Sequence, residues 1–412
     1  MQKKLVTLAV AGALAAPAAA LAQVEVYGTI HMSLNYMKYG ESSTGIASVS
    51  KLDVASHASN IGVRARESLG GGLSAWAQVE TNASMERSNN IAHTSNFASR
   101  NSAVGLQGGF GNVFVGQWTT PWADLDALWG IGTVATYGPI TSIIGRRETT
   151  GAAPNPNCAN NFSGNGGGGL PAGVAAAQPT CDSVEGAGGP GHPFWRRISN
   201  SVFYQSPVFG GAQVKLAYQT NQDKSVTTAT TTAADPQMWS ASVSWAGMGG
   251  RARVGAAYDA HKEFSAVGQT DKGWRVTGGF NFGFVDVGLA YEQMEYKPVV
   301  LGVVAETEAT QWGIQLAIPI GQGAIRAAYS VAEDLDIIGT EVDGTGAKQY
   351  NIGYDYRFSK RTTLGVGFAQ IKNENLAVFT WSGLSSSNGG QSVTPPPGSD
   401  VSIFFTSLIH RF

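Results

Sequence analysis

From Gln23 to the C-terminus the chain alternates apolar and polar residues with period two, and turn residues interrupt the alternation roughly every ten positions. Period two belongs to strands, because successive side chains on a strand point to opposite faces. In 311–320, Trp312, Ile314, Leu316, Ile318 and Ile320 share one face while Gln311, Gly313 and Gln315 share the other. In 274–282, Trp274, Val276, Gly278, Phe280 and Phe282 oppose Arg275, Thr277, Gly279 and Asn281. In 350–358, Tyr350, Ile352, Tyr354, Tyr356 and Phe358 oppose Asn351, Asp355 and Arg357. An aromatic-rich apolar face on strand after strand suits lipid outside and water inside, the arrangement of a membrane β-barrel.

The ends of the chain agree. Lys3 and Lys4 precede an apolar run from Leu5 to Leu21, and Leu21-Ala22 before Gln23 is a small-residue cleavage pattern. Residues 1–22 are expected to be a secretory signal, with one barrel domain over 23–412. Removing them takes away two lysines and no acid, so the formal net charge moves from −2 to −4. No basic face for a nucleic-acid partner is expected. Charged residues are 14% of the chain, aromatics 10%, and mean hydropathy is −0.06, the average that an apolar outside and a polar inside produce together. Beyond the signal the uncharged window Ala127–Gly145 is made a poor spanning helix by Gly130, Gly132, Gly138 and Pro139. Strands in a closed sheet are the remaining way to satisfy every backbone group in lipid.

Short connections such as Gly70-Gly71-Gly72, Gly247-Met248-Gly249-Gly250 and Gly321-Gln322-Gly323 alternate with long ones, the longest running from 119 to about 196. Counting between the breaks predicts roughly 16 antiparallel strands, at 23–38, 52–67, 73–86, 96–108, 111–118, 197–207, 212–221, 237–246, 251–261, 273–283, 285–297, 309–320, 323–334, 347–358, 362–374 and 399–412. An even count brings both termini to the periplasmic end. An exported β-sandwich would also alternate, but it must bury one face of each sheet, and the many aromatic outward faces favour the barrel.

Catalytic signatures are weak. Gly164-x-Gly166-x-x-Gly169 and Gly186-x-Gly188-x-x-Gly191 fit a dinucleotide fingerprint, yet neither follows a strand and opens a helix. No G-x-S-x-G elbow occurs, and the six histidines are scattered. A barrel-embedded lipid hydrolase is the enzyme alternative, with His31 inward on the first strand and His410 outward on the last. Neither enzyme activity, cofactor nor metal is expected. Cys158 and Cys181 lie in one Gly/Asn/Pro-rich stretch of an exported chain, where an oxidising compartment favours a disulfide.

An ordered series of motifs resembles the trimeric general porins of β-proteobacterial outer membranes. It comprises Val24-Glu25-Val26-Tyr27-Gly28, Asn60-Ile61-Gly62-Val63-Arg64, Glu67-Ser68-Leu69-Gly70-Gly71-Gly72, Ser99-Arg100-Asn101-Ser102, Phe110-Gly111-Asn112-Val113, Asn200-Ser201-Val202-Phe203-Tyr204 and Tyr354-Asp355-Tyr356-Arg357-Phe358, then the closing His410-Arg411-Phe412. The resemblance implies a water-filled 16-stranded barrel in a homotrimer, embedded in outer-membrane lipid and narrowed by a third extracellular loop folded into the lumen. It implies passive diffusion of small hydrophilic solutes and ions, and a terminal Phe412 read by the barrel-assembly machinery. The loop from Thr119 is longer than the family's usual third loop, and the excess coincides with Cys158 to Cys181.

Selectivity in such a pore comes from charges at its narrowest point. Alternation places Arg64, Arg66, Arg100, Arg275 and Arg326 inward, and Asp124 and Asp126 sit early in the long loop, so the resemblance implies a basic wall facing an acidic loop. Asn60, Phe203 and the pair Gly116-Gln117 depart from the family's wall arginines, and Arg100 alone of that set is kept. A substrate-specific channel would instead carry a ladder of aromatics; Tyr27, Trp76 and Phe203 are the inward aromatics that alternation identifies.

The cysteine pair makes a first prediction. Closing the loop between Cys158 and Cys181 removes roughly 3 kcal/mol of unfolded-state entropy, and mass spectrometry without reductant should find the two linked. Two free thiols in exported protein would rule the staple out.

Overall fold

The computed structural model describes residues 23–83, 85, 97–129, 137–139, 142–144, 194–221, 224, 234–300, 303–381 and 395–412. The expected signal at 1–22 and the cysteine pair Cys158–Cys181 lie outside the described residues.

The wall begins with β1 (Gln23–Tyr39), β2 (Val49–Ser56), β3 (Asn60–Gly70), β4 (Leu73–Asn82), β5 (Ser102–Gly108) and β6 (Gly111–Thr119). After the long loop come β7 (Arg197–Gln205), β8 (Ala212–Gln219), β9 (Gln237–Gly247), β10 (Ala252–Lys262), β11 (Thr270–Asn281) and β12 (Asp286–Tyr296). Two small hairpins in loops, β13–β14 (Val299–Val300, Val303–Val304) and β17–β18 (Leu335–Ile337, Thr340–Val342), flank β15 (Thr307–Ile320) and β16 (Gly323–Ala332). The wall ends with β19 (Ala347–Arg357), β20 (Thr362–Asn373) and β21 (Val401–Arg411). Each wall strand pairs antiparallel with its neighbour, and β1 pairs with β21. With β2 and β3 counted as one interrupted strand, the result is a closed 16-stranded antiparallel barrel.

Alternation is visible in burial. Along β11, Asp271, Gly273, Arg275 and Thr277 are buried toward the inside while Lys272, Trp274 and Val276 are exposed outside. The same holds on β12, where Leu289 and Tyr291 face out and Gly288, Ala290, Glu292 and Met294 face in. Three expectations need correcting. The strand expected over 52–67 is broken at 57–59, where Ala58 takes φ +49 and His57 turns inward. The strand expected over 96–108 starts only at Ser102, because Arg100 and Asn101 are drawn into side-chain bonds across the wall. The inside is also not uniformly polar. On β21 the inward, buried set is Val401, Ile403, Phe405, Ser407 and Ile409, apolar but for one serine, whereas Phe404, Thr406, Leu408 and His410 are exposed outside.

The apolar inward residues of β1, β20 and β21 are covered by loops. Tyr137, Ile143 and Ile144 of the long loop and Ala377, Phe379 and Trp381 of the last loop pack against Met37, Tyr39, Ile371, Ile403 and Phe405, forming one dry core within the barrel. Hydrogen bonds fix it in place: the Tyr137 carbonyl accepts from Gln349 Nε2 at 2.7 Å and from Trp381 Nε1 at 3.0 Å.

The seam closes through eleven register pairs, Thr29↔Arg411 to Tyr39↔Val401. Phe412 then exchanges both backbone bonds with Gly28, each at 3.1 Å. Deleting Phe412 removes that pair and leaves the foot of β1 unpaired on its seam side. The yield of heat-modifiable barrel should fall severalfold while export continues; a deletion variant that assembles at wild-type yield would show that the last residue is dispensable.

Candidate functional site

Inward side chains of β8 to β12 hold the start of the long loop against the wall. Thr120 caps the first of two short helices, Pro121–Asp124 and Asp126–Trp129, by accepting from Ala123 N. Helices this short leave carbonyls with acceptor capacity to spare, and the wall supplies further donors. Arg275 donates to the Trp122 carbonyl at 3.2 Å, Thr277 Oγ1 to Leu125 at 3.2 Å, and Arg253 Nε to Leu128 at 2.6 Å. The wall is bare where the strap lies closest. A Cβ on Gly288 would sit 2.1 Å from the Trp129 carbonyl oxygen, so no larger residue fits there without displacing the strap.

Charge completes the attachment. Asp124 pairs with Lys215 at 2.8 Å. Asp126 pairs with Arg275 at 2.8 Å and accepts from the Trp195 ring N–H. Arg275 also lies 3.5 Å from Glu292, and neither side chain has any exposed surface. Of the residues predicted to line a constriction, Asp124, Asp126 and Arg275 therefore come together, as an anchor in direct contact rather than as charges opposed across open water. Arg275 faces inward as alternation expects, but the strap seals it from passing ions. The sequence gives no signal for this pairing, because Lys215 and Glu292 are ordinary inward residues until the loop is laid upon them.

Arg100 meets the acidic part of the wall. Its Nε lies 2.5 Å from Glu80 Oε1, its Nη1 donates to Asn82 at 3.2 Å, and Tyr27 Oη donates to Glu80 Oε2 at 2.9 Å. Arg197, which sequence reasoning did not single out, donates to Asn101 Oδ1 at 2.6 Å on the adjoining wall. Two cations thus stand beside one carboxylate.

The remaining predicted arginines sit near the end with the short turns. Arg64 is exposed and held by Glu25 at 2.7 Å. Arg66 lies opposite Trp76 in register and donates to Ser74 Oγ at 3.3 Å. Arg326 pairs with Asp355 at 2.6 Å and borders a vestibule with Arg253, Asp286 and Arg357.

Ser33 and His57, 2.6 Å apart, are the arrangement nearest to a hydrolytic pair. They are 3% and 8% exposed and lie beneath Tyr137, so they serve the loop rather than a substrate. His31 lies tilted beside His57 with ring centroids 5.0 Å apart, and His410 bonds Thr362 on the outer face.

The Gram-negative porin family model matches residues 7–376. The chain is 25% identical over 391 residues to the major outer membrane protein P.IB of Neisseria meningitidis, spanning 93% of this chain and 98% of that one. It is 24% identical to the outer membrane porin protein 32 of Delftia acidovorans, across 92% of each. Among solved structures, an anion-selective porin from Comamonas acidovorans superposes with a TM-score of 0.61 at 20% identity, covering 95% of this chain and 100% of that one, a likeness of fold.

Removing the buried cation tests the anchor. Arg275→Met removes the cation that Asp126 and Glu292 share, a cost of about 3–5 kcal/mol for a broken buried pair. The strap should loosen, seen as larger and noisier conductance and as faster proteolysis of the loop in otherwise folded protein. Unchanged conductance and unchanged proteolysis would mean that the strap is held elsewhere.

Proposed function

The chain belongs to the Gram-negative porin family, and on that premise we propose a homotrimeric pore narrowed by the long loop, with a weak preference for anions set at Arg100. Membership makes it an outer-membrane channel for passive diffusion of small hydrophilic solutes, not an enzyme. The observation that carries the finer reading is the pairing pattern inside the barrel. The strap's acids are each bound to a wall cation, whereas Arg100 and Arg197 share a region where Glu80 is the carboxylate in contact with Arg100. That surplus of positive charge beside the strap favours anions, and the absence of arginine at Asn60 and Phe203 keeps the preference small. Outer-membrane lipid on the apolar face, the barrel-assembly machinery reading Phe412, and a Cys158–Cys181 staple within the long loop complete the proposal.

Reversal potential in a salt gradient tests it. Arg100→Gln removes one of the two cations beside Glu80 and should move the pore toward cations. Asp124→Asn frees Lys215 and should move it toward anions. Both shifts should shrink between about 0.1 M and 1 M salt, as the Debye length falls from about 10 Å to about 3 Å. A reversal potential unmoved by Arg100→Gln at low salt would show that Arg100 does not see the permeating ions.

A further inference from the structure

The inner wall over β3 to β6 contains a recess of about 350 Å³ with an aromatic floor. Trp76, Phe114 and Trp118 meet there with ring centroids 5.2 to 5.7 Å apart. Phe114 is buried and stacked on Phe203 at 4.8 Å, whereas both indoles keep part of their surface open. The Trp76 ring N–H already donates to Asn112 Oδ1 at 2.8 Å. Its orientation is therefore fixed, and what it offers a solute is its π surface. Gly105 lies under the Trp76 ring, and a Cβ there would come within 2.6 Å of the Phe114 Cβ and 2.8 Å of the Trp76 ring. A bare backbone is what lets these inclined rings approach one another.

Charge sits at the edge of the floor. Arg64 is neutralised by Glu25. Arg66, directly across from Trp76, makes a hydrogen bond to Ser74 Oγ and no ion pair among the described residues. A guanidinium has five N–H donors in a fork that matches a carboxylate, so most of its capacity is open. Gln107 and Gln205 add amide groups to the rim. A small aliphatic acid would leave the indoles uncovered, and a neutral sugar would leave Arg66 without an anion. A planar ring bearing a carboxylate uses both, since offset or edge-on contact with an indole is favourable beyond burial alone.

We propose that this recess is a weak binding station for aromatic carboxylates along the diffusion path, with Arg66 taking the carboxylate and Trp76 and Trp118 the ring. The inference rests on the channel reading and names a solute class for it. The test uses full-length protein in planar bilayers carrying KCl current, with benzoate, cyclohexanecarboxylate, acetate and glucose added in turn. Benzoate should reduce the current at concentrations about tenfold below the other three, equivalent to about 1.4 kcal/mol. Arg66→Gln should weaken the benzoate effect by a similar factor, and Trp76→Leu should erase the preference for benzoate over cyclohexanecarboxylate. Should Trp76→Leu assemble poorly, Trp118→Leu makes the same comparison. Equal reduction by benzoate and cyclohexanecarboxylate, or a benzoate effect unchanged in these variants, overturns the station while leaving the channel standing. Protein that inserts yet carries no KCl current overturns both.

Discussion

Everything in this molecule depends on the seam between β1 and β21. A strand edge cannot stand open in hydrocarbon, where an unpaired N–H or C=O costs several kcal/mol. The first and last strands must therefore find each other, with the whole chain between them. Eleven register pairs plus the exchange between Phe412 and Gly28 accomplish this. Once the ring is closed, inside and outside are defined for every residue by parity alone, and a one-residue slip at the seam would reverse both faces.

The closed wall then acts as the core against which the loops fold. Soluble domains bury apolar groups between layers, whereas this barrel buries them within its own bore, on the side formed by β1, β20 and β21. On the opposite side the attachment is ionic and hydrogen-bonded, through Lys215, Arg253, Arg275 and Thr277. Two chemistries thus secure one long loop: a dry contact at Tyr137, Ile143 and Ile144, and a charged one at Asp124 and Asp126.

Strand count and the two faces of the wall were legible in the sequence because they follow from local alternation and turn residues, which need no partner to be read. Trp274, Val276 and Leu289 face outward as alternation required. Partners across the bore were not legible. Arg275 reads as a lumenal charge until Asp126 and Glu292 are placed beside it, and the inward Ile403 and Phe405 contradict a polar lumen until Trp381 and Tyr137 are seen covering that side. The contacts of Arg275 with Asp126 and of Tyr137 with Phe405 and Trp381 join residues more than a hundred positions apart, and periodicity carries no information at that range. The break at 57–59 escaped for a different reason: His57 turns inward to Ser33, so a side-chain bond overrides a locally regular strand.

The anchored strap also determines how the pore responds to voltage. A membrane potential acts on charge, at about 2.3 kcal/mol per elementary charge per 100 mV if the whole drop is traversed. The strap's two acids would gain at most about 4.6 kcal/mol from 100 mV across the full field. Separating Asp126 from the fully buried Arg275 costs about 3–5 kcal/mol, and the partly exposed Asp124–Lys215 pair adds a further cost. The electrical work is at most comparable to the sum of the two separations and shrinks when the strap moves only part of the way. A loop tethered by opposite charges in contact is consequently a poor voltage sensor, and the pore should stay open at potentials that would dislodge a loop whose charges faced water.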